Sequence, residues 1–325
     1  MKIITLPGLI DMHVHLRDPG QTEKEDFSTG SRAALSGGFS LICDMPNNII
    51  PIFTPERLME KIKLAKKTAH CTILFYFGTV GDNLEEFKKV YPFVAGLKIY
   101  LDITTGGYIL NTNKLLSVFN TWKSEKPILV HCEDEHIKTL IDIVRKTKKQ
   151  THICHIHSQQ VLEQIILAKK EGLPLSCGVT PHHLFLTNND EKKLGSFGMM
   201  KPPLPSKKDN AYLWKHLSDI DVIESDHAPH TKSEKESAHP PFGVPGLETT
   251  LPLLLTAVNE GKITLSDIKR LCYEGPRKIL HIEKENMGTI RIDMDLKYIM
   301  RGSDLKTKCK WTPFEGWEMQ GKIVE

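Results

Sequence analysis

Three things are missing from this chain, and each absence removes a class of function. Nowhere does an apolar run approach the length of a membrane span; the longest lies around Leu251–Leu255. No Gly-x-Gly-x-x-Gly follows any apolar strand-like run, so the usual mark of a dinucleotide site is absent. A net excess of charge is also lacking. The formal net charge is +3, too small to suggest a nucleic-acid partner, and lysine-rich stretches such as Lys146–Gln150 read as solvated helix ends. The seven cysteines are an odd number. Cys43, Cys132, Cys154 and Cys177 sit within or at the ends of apolar runs, as buried thiols of a reducing compartment do. The opening MKIITLPGLI is too short for a secretory signal. The expected location is the cytoplasm, with a small molecule rather than nucleic acid or membrane as the partner.

What is present is a repeated alternation. Eight short apolar runs recur at 10–15, 39–45, 71–78, 96–101, 127–132, 151–156, 173–179 and 221–227. Amphipathic stretches separate them, among them Thr54–Thr68, Glu133–Lys148 and Gln159–Glu171. Continuous apolar strands alternating with helices predict a parallel sheet covered by helices. Eight such units favour a closed (β/α)8 barrel, a TIM-type α/β fold, over an open sheet. The barrel is expected to fill residues 1–281. The tail, 282–325, carries strand-like runs at Gly288–Asp295, Leu296–Met300 and Gly321–Val324 and is expected to form a small β appendage packed on the barrel.

Polar residues that could hold metal ions stand at the ends of these runs: His13 and His15, Lys98, His131, His155, and Asp226 followed by His230. In a parallel barrel the C-terminal strand ends converge on one pocket, so residues remote in sequence become neighbours. His13 and His15, two apart, share a face, with Met12 and Val14 on the other. The same alternation places Ile153 and His155 inward and His152 and Cys154 outward. Two imidazoles of a His-x-His can serve one metal, and three protein ligands with an open position make a catalytic zinc site. Each histidine alone is equally consistent with a hydrogen-bonded core residue. A carboxylate such as Asp226 at the end of an apolar strand needs a cation or several donors. Lys98 fits less obviously, since an ammonium repels metals. Burial among positive charges favours the uncharged amine, which can take up carbon dioxide as a metal-bridging carbamate.

Taken together, PGLIDMHVHLRDPG, CDMPN, GLKIYL, HICH, PHHLFL, SDHAPH and PFGVPGLETTLPLLL resemble the dihydroorotases of the amidohydrolase superfamily, in particular the dihydroorotase domain of the multifunctional animal pyrimidine-synthesis protein. The resemblance runs from Leu6 to the segment near Trp311. It implies one zinc on His13, His15 and Asp226, a second on His131 and His155, and N6-carboxylated Lys98 bridging them. It also implies that Arg17, Asn47 and His230 bind the carboxylate and ring of dihydroorotate, with backbone groups near Lys201, Phe242 and Gly243 completing the pocket. Asp226 would be the catalytic acid and base. The guanidinium fork of Arg17 suits a carboxylate, and Asn47 offers a neutral donor and acceptor to an amide ring. The loop 102–109, with Gly106 and Gly107, is expected to close over the substrate.

The chain departs from the family at three places. Gly178 stands where the animal domains carry a Glu that helps bind a third zinc, so no third zinc is expected. Lys201 stands where many bacterial relatives have Asn. The chain also enters the first barrel strand at once, without the N-terminal β segment of bacterial relatives. A homodimer and an association with aspartate transcarbamoylase are compatible with the resemblance. Two other readings share much of it: a hydantoinase or allantoinase with the same metal centre, and a non-catalytic scaffold supporting aspartate transcarbamoylase.

Overall fold

The structure is a computed structural model that describes residues 2–283 and 287–324. Residues 284–286 and 325 of the expected appendage lie outside the described residues. The first strand, β1 (Ile3–Pro7), is not a barrel strand. Eight parallel strands follow in spatial order: β2 (Leu9–Val14), β3 (Phe39–Asp44), β4 (Thr72–Gly78), β5 (Gly96–Tyr100), β6 (Ile128–His131), β7 (Thr151–Ile153), β8 (Leu175–Val179) and β9 (Val222–Ile223). The ring closes where Val14 bridges His227 and His15 N donates to His227 O at 2.8 Å. All eight expected runs are strands of one sheet, and the TIM-type barrel is the observed fold.

The helices begin where the chain supplies caps. Asp26 forms a capping box with Thr29 ahead of Phe27–Ser36, Thr54 with Pro55 opens Pro55–Thr68, and Ser158 caps Gln159–Lys170. Helix Ile137–Thr147 buries Ile137, Leu140, Ile141 and Val144, an i, i+3, i+4, i+7 stripe facing the strands.

Side chains from alternate strand positions form two apolar layers. Leu9, Val14, Ile99, Val130, Ile153 and Val179 pack outward against helix residues such as Phe27, Leu58, Leu140 and Leu162. Ile10, Met12, Leu41, Cys43, Tyr76, Leu129, Cys154 and Val222 fill the barrel, floored by Tyr273, Ile279 and Leu280. Strict alternation therefore misplaces Met12, Ile153, Cys154 and His152. Met12 points inward because the β2–β3 register shifts between Asp11 and Val14, a bulge that puts Met12, His13 and His15 on the inner side. β7 ends at Ile153, which packs outward, while Cys154 and His152 face inward. His155 reaches the mouth only through a left-handed backbone turn, with φ 36.

The tail forms two strands rather than three. β10 (Thr289–Ile299) runs continuously through the two expected segments, with an irregularity between Asp293 and Lys297, and pairs with β11 (Glu318–Ile323). β1 lies antiparallel on the other side of β10, Ile3 opposite Asp293. The chain therefore does open with a short β segment, joined to the tail in a three-stranded sheet. The connection 300–317 folds back over the barrel mouth, where Met300, Leu305, Trp311 and Phe314 pack with Leu186, Met200, Leu204 and Val244.

Candidate metal centre and substrate cleft

The C-terminal strand ends bring the six expected ligands to one end of the barrel. His13 and His15 leave β2, Lys98 lies within β5, His131 ends β6, His155 follows β7, and Asp226 follows β9. Asp226 Oδ1 lies 3.0 Å from His15 Nε2 and 3.3 Å from His13 Nε2. His131 Nδ1 and His155 Nε2 are 3.1 Å apart, and the His13 and His155 ring centroids are separated by 5.0 Å. Tetrahedral zinc with bonds of about 2.0–2.1 Å sets its ligand atoms about 3.3 Å apart, so both groups match the spacing such an ion imposes. Lys98 is completely buried; its Nζ donates to Cys154 Sγ at 3.2 Å and lies 4.9 Å from the Tyr100 ring centre.

Burial keeps these imidazoles uncharged. It pushes the His13 pKa down to about 4 from 6.5, and His15, His131 and His155 are likewise lowered chiefly by burial. Neutral rings leave lone pairs for cations. Metal-free protein should consequently lose stability in acid. Below pH 6.5 the unfolded chain protonates His13, whereas the folded chain does so only near pH 4. The excess protons on the unfolded state make stability fall as pH drops through that window. Denaturant midpoints of chelator-treated protein between pH 7 and 4 should decline steadily, and flat midpoints would contradict the buried, neutral assignment.

Three site residues adopt positive φ without being glycine: Arg17 (63), His155 (36) and Asp226 (44). Such conformations are uncommon for residues with a Cβ and cluster where function over-determines the backbone.

Around the ligands opens a narrow cleft, lined among others by Arg17, Asn47, Tyr100, Thr105, Lys201, Phe242 and Gly243. Asn47 Oδ1 meets His15 Nδ1 at 2.7 Å, and its Nδ2 donates to Thr105 O at 3.2 Å. Thr105 Oγ1 donates to Phe242 O at 3.1 Å, so the loop 102–109 reaches across the mouth. Arg17 is buried, its Nε donating to Pro229 O at 3.2 Å. His230 is brought beside Arg17 but not onto the cleft wall. Its Nε2 donates to Phe242 O at 3.0 Å, and its backbone carbonyl accepts from Trp311 Nε1 at 2.7 Å. Lys201 reaches the rim, with Nζ 3.9 Å from Glu133 Oε2 and 5.7 Å from the Phe242 ring centre.

Sequence reasoning missed Tyr100, Glu133 and Glu224. Tyr100 is two residues beyond Lys98 and Glu133 two beyond His131, so the i, i+2 rule that linked His13 to His15 would have found both. Glu224 is wholly buried at the end of β9. Burial pushes its carboxyl up, but the adjacent His13 and His152 rings outweigh this and hold it well below the usual carboxylate range. The burial argument applied to Asp226 applies equally to Glu224.

With this geometry in view, likeness to known proteins is informative. The chain matches the amidohydrolase family over residues 4–194. It is 40% identical over 325 residues to the multifunctional protein CAD of Squalus acanthias, covering 99% of this chain but only 14% of that protein. It is 36% identical over 335 residues to the dihydroorotase of Pyrococcus furiosus, covering 99% of this chain and 79% of the relative. In fold it superposes on the L-hydantoinase of Arthrobacter aurescens with a TM-score of 0.94 at 24% identity, covering 99% and 83% of the two chains. The family is typically metal-dependent, and the cluster of His13, His15 and Asp226 is suited to an ion. By its family match and by its likeness to a dihydroorotase of which it covers 79%, the chain belongs to the amidohydrolase family and, within it, to the dihydroorotases.

Proposed function

We propose that this protein interconverts dihydroorotate and N-carbamoyl-L-aspartate in the cytoplasm, as a step of pyrimidine synthesis. Two zinc ions would serve it: one on His13, His15 and Asp226, the other on His131 and His155, with carboxylated Lys98 between them. One observation carries the reading. Four neutral imidazoles and a carboxylate, with a buried lysine behind them, converge on a cleft whose wall bears the Arg17 guanidinium. Among the described residues no helix is long and apolar enough to cross a membrane.

When bound, such a metal pair lowers the pKa of water into the neutral range and polarises an amide carbonyl. The side chains perform the rest. Arg17 binds the substrate carboxylate through its fork, and the Pro229 carbonyl, accepting from its Nε, keeps the guanidinium in place, with His230 beside it. Asn47 presents its amide to the ring. Asp226 accepts the proton of the attacking water and returns it to the ring nitrogen as the C–N bond breaks. In the reverse direction these steps close the ring. Thr105, tied to Asn47 and Phe242, excludes bulk water from above. Backbone groups at Lys201, Phe242 and Gly243 line the remaining wall. Opening the ring produces a carboxylate and releases a proton, so alkaline solution favours hydrolysis and mild acid favours closure.

The test is a substrate panel of dihydroorotate, hydantoin and allantoin, run with wild-type protein and Arg17→Met. Dihydroorotate should be strongly preferred, and Arg17→Met should cost about 100-fold in kcat/KM for it, the loss of a charged bidentate contact. A preference for a neutral ring that survives Arg17→Met would identify a hydantoinase. Wild-type protein that turns over none of the three would make it a scaffold.

A further inference from the structure

We infer that Glu224 is a positioning residue that fixes two metal ligands from below; the inference rests on the metal-dependent reading above. Its side chain has no solvent exposure. Oε1 accepts from the backbone N–H of His155 at 2.5 Å, at the left-handed turn that swings His155 toward the site. Oε2 lies 3.4 Å from His13 Nδ1 and 3.5 Å from His152 Nε2. One carboxylate thus touches the back of one ligand and the backbone of another.

A carboxylate 3.4 Å from Nδ1 favours one His13 tautomer over the other. With the ring proton on Nδ1 facing Glu224, the Nε2 lone pair is left free on the side of Asp226, 3.3 Å away. Carboxylates behind metal-binding histidines act in this way, fixing ring orientation and raising ligand basicity.

The neighbouring strand is shaped to admit this carboxylate. A Cβ at Gly178 would sit 2.4 Å from Glu224 Oε1 and 2.7 Å from its Cδ, so any side chain there would expel it. The glycine that breaks the family pattern on β8 therefore makes room for an acid arriving from β9. His13, Cys154 and Glu224 do have ligand atoms within 4.8 Å of one another. Oε1 is engaged by His155 N–H, whereas Oε2 lies opposite two imidazole nitrogens without a hydrogen-bond partner, so the zinc count of the wild type separates a positioning carboxylate from a ligand of a separate ion.

Glu224→Gln keeps the shape and reverses the polarity. If its carbonyl accepts from His155 N–H, its NH2 faces His13 Nδ1, which must then accept and carry its proton on Nε2. If the amide flips, its NH2 opposes the His155 N–H. Either way one ligand is disturbed.

The measurement is zinc affinity of the full chain by competition with a chromophoric chelator, with kcat and KM for dihydroorotate alongside. Glu224→Gln should weaken zinc binding about 10–100-fold and lower kcat with it, leaving KM within about threefold of wild type. The double variant Glu224→Ala/Gly178→Glu, which returns the carboxylate from the next strand, should recover much of the affinity. Retention of wild-type zinc affinity by Glu224→Gln would overturn the inference. So would a third equivalent of zinc in the wild type that Glu224→Gln alone loses while kcat is unchanged, since Glu224 would then be a ligand of a separate ion. Zinc loss as expected in a protein inactive on dihydroorotate would sink the proposed reaction and leave the positioning role standing.

Discussion

Asp226→Asn should lower kcat by at least about 10³-fold in both directions, the upper part of the range for removing a general acid–base group. Asparagine keeps the size and a carbonyl oxygen that can still face His13 and His15, now 3.0–3.3 Å from Asp226 Oδ1. It cannot take a proton from water and return it to a ring nitrogen. With zinc supplied in excess, the loss should therefore fall on kcat, with KM for dihydroorotate changing little. Initial rates for ring opening and closure, with zinc content measured on the same samples, decide the matter. A variant that keeps its zinc and works within tenfold of wild type would show that the proton travels by another route.

The second large effect is expected at Lys98. Capture of carbon dioxide forms an N–C bond, releases a proton and turns a site for a cation into an anion with two oxygens. Lys98 is fully buried, and its Nζ lies over Tyr100 and against Cys154, among the four imidazoles. A permanent ammonium at that position would repel two dications with little solvent to screen it. Lys98→Met should lose the bridge, hold zinc weakly, and show activity reduced by about 10³-fold or more. Wild-type protein stripped with a chelator and supplied with zinc should regain activity slowly in carbon-dioxide-free buffer and quickly with bicarbonate. Equal recovery in the two buffers would remove the carbamate from the proposal, whatever Lys98→Met does.

The barrel was readable because its period is coarse. Eight apolar runs with helices between them tolerate errors of a residue or two, and His13, His15, Lys98, His131, His155 and Asp226 were identifiable as strand-end residues without knowing any side-chain direction. Directions failed where the backbone leaves the ideal pleat. The bulge in β2 turned Met12 inward, and the end of β7 at Ile153 made extrapolated alternation wrong for Ile153, His152 and Cys154. No local pattern announces such events, since they depend on which neighbour supplies the next hydrogen bond. The pairing of Ile3–Pro7 with β10 was hidden for a similar reason: partners almost the whole chain apart leave no periodic trace. Glu224 was overlooked although its burial in an apolar strand is costly by the argument that picked out Asp226. Its neighbour Gly178 was read as an absent ligand, when its smallness is what admits the carboxylate from the adjacent strand.

The left-handed turns at Arg17, His155 and Asp226 carry an implication for engineering. Each costs a residue with a Cβ about 1–3 kcal/mol, which glycine would not incur. A search for sturdier variants would thus be drawn to the three positions where a bare backbone relaxes most and where no hydrogen atom can stand in for guanidinium, imidazole or carboxylate. Thermal hardiness and turnover should trade against each other at these sites more steeply than anywhere on the helices.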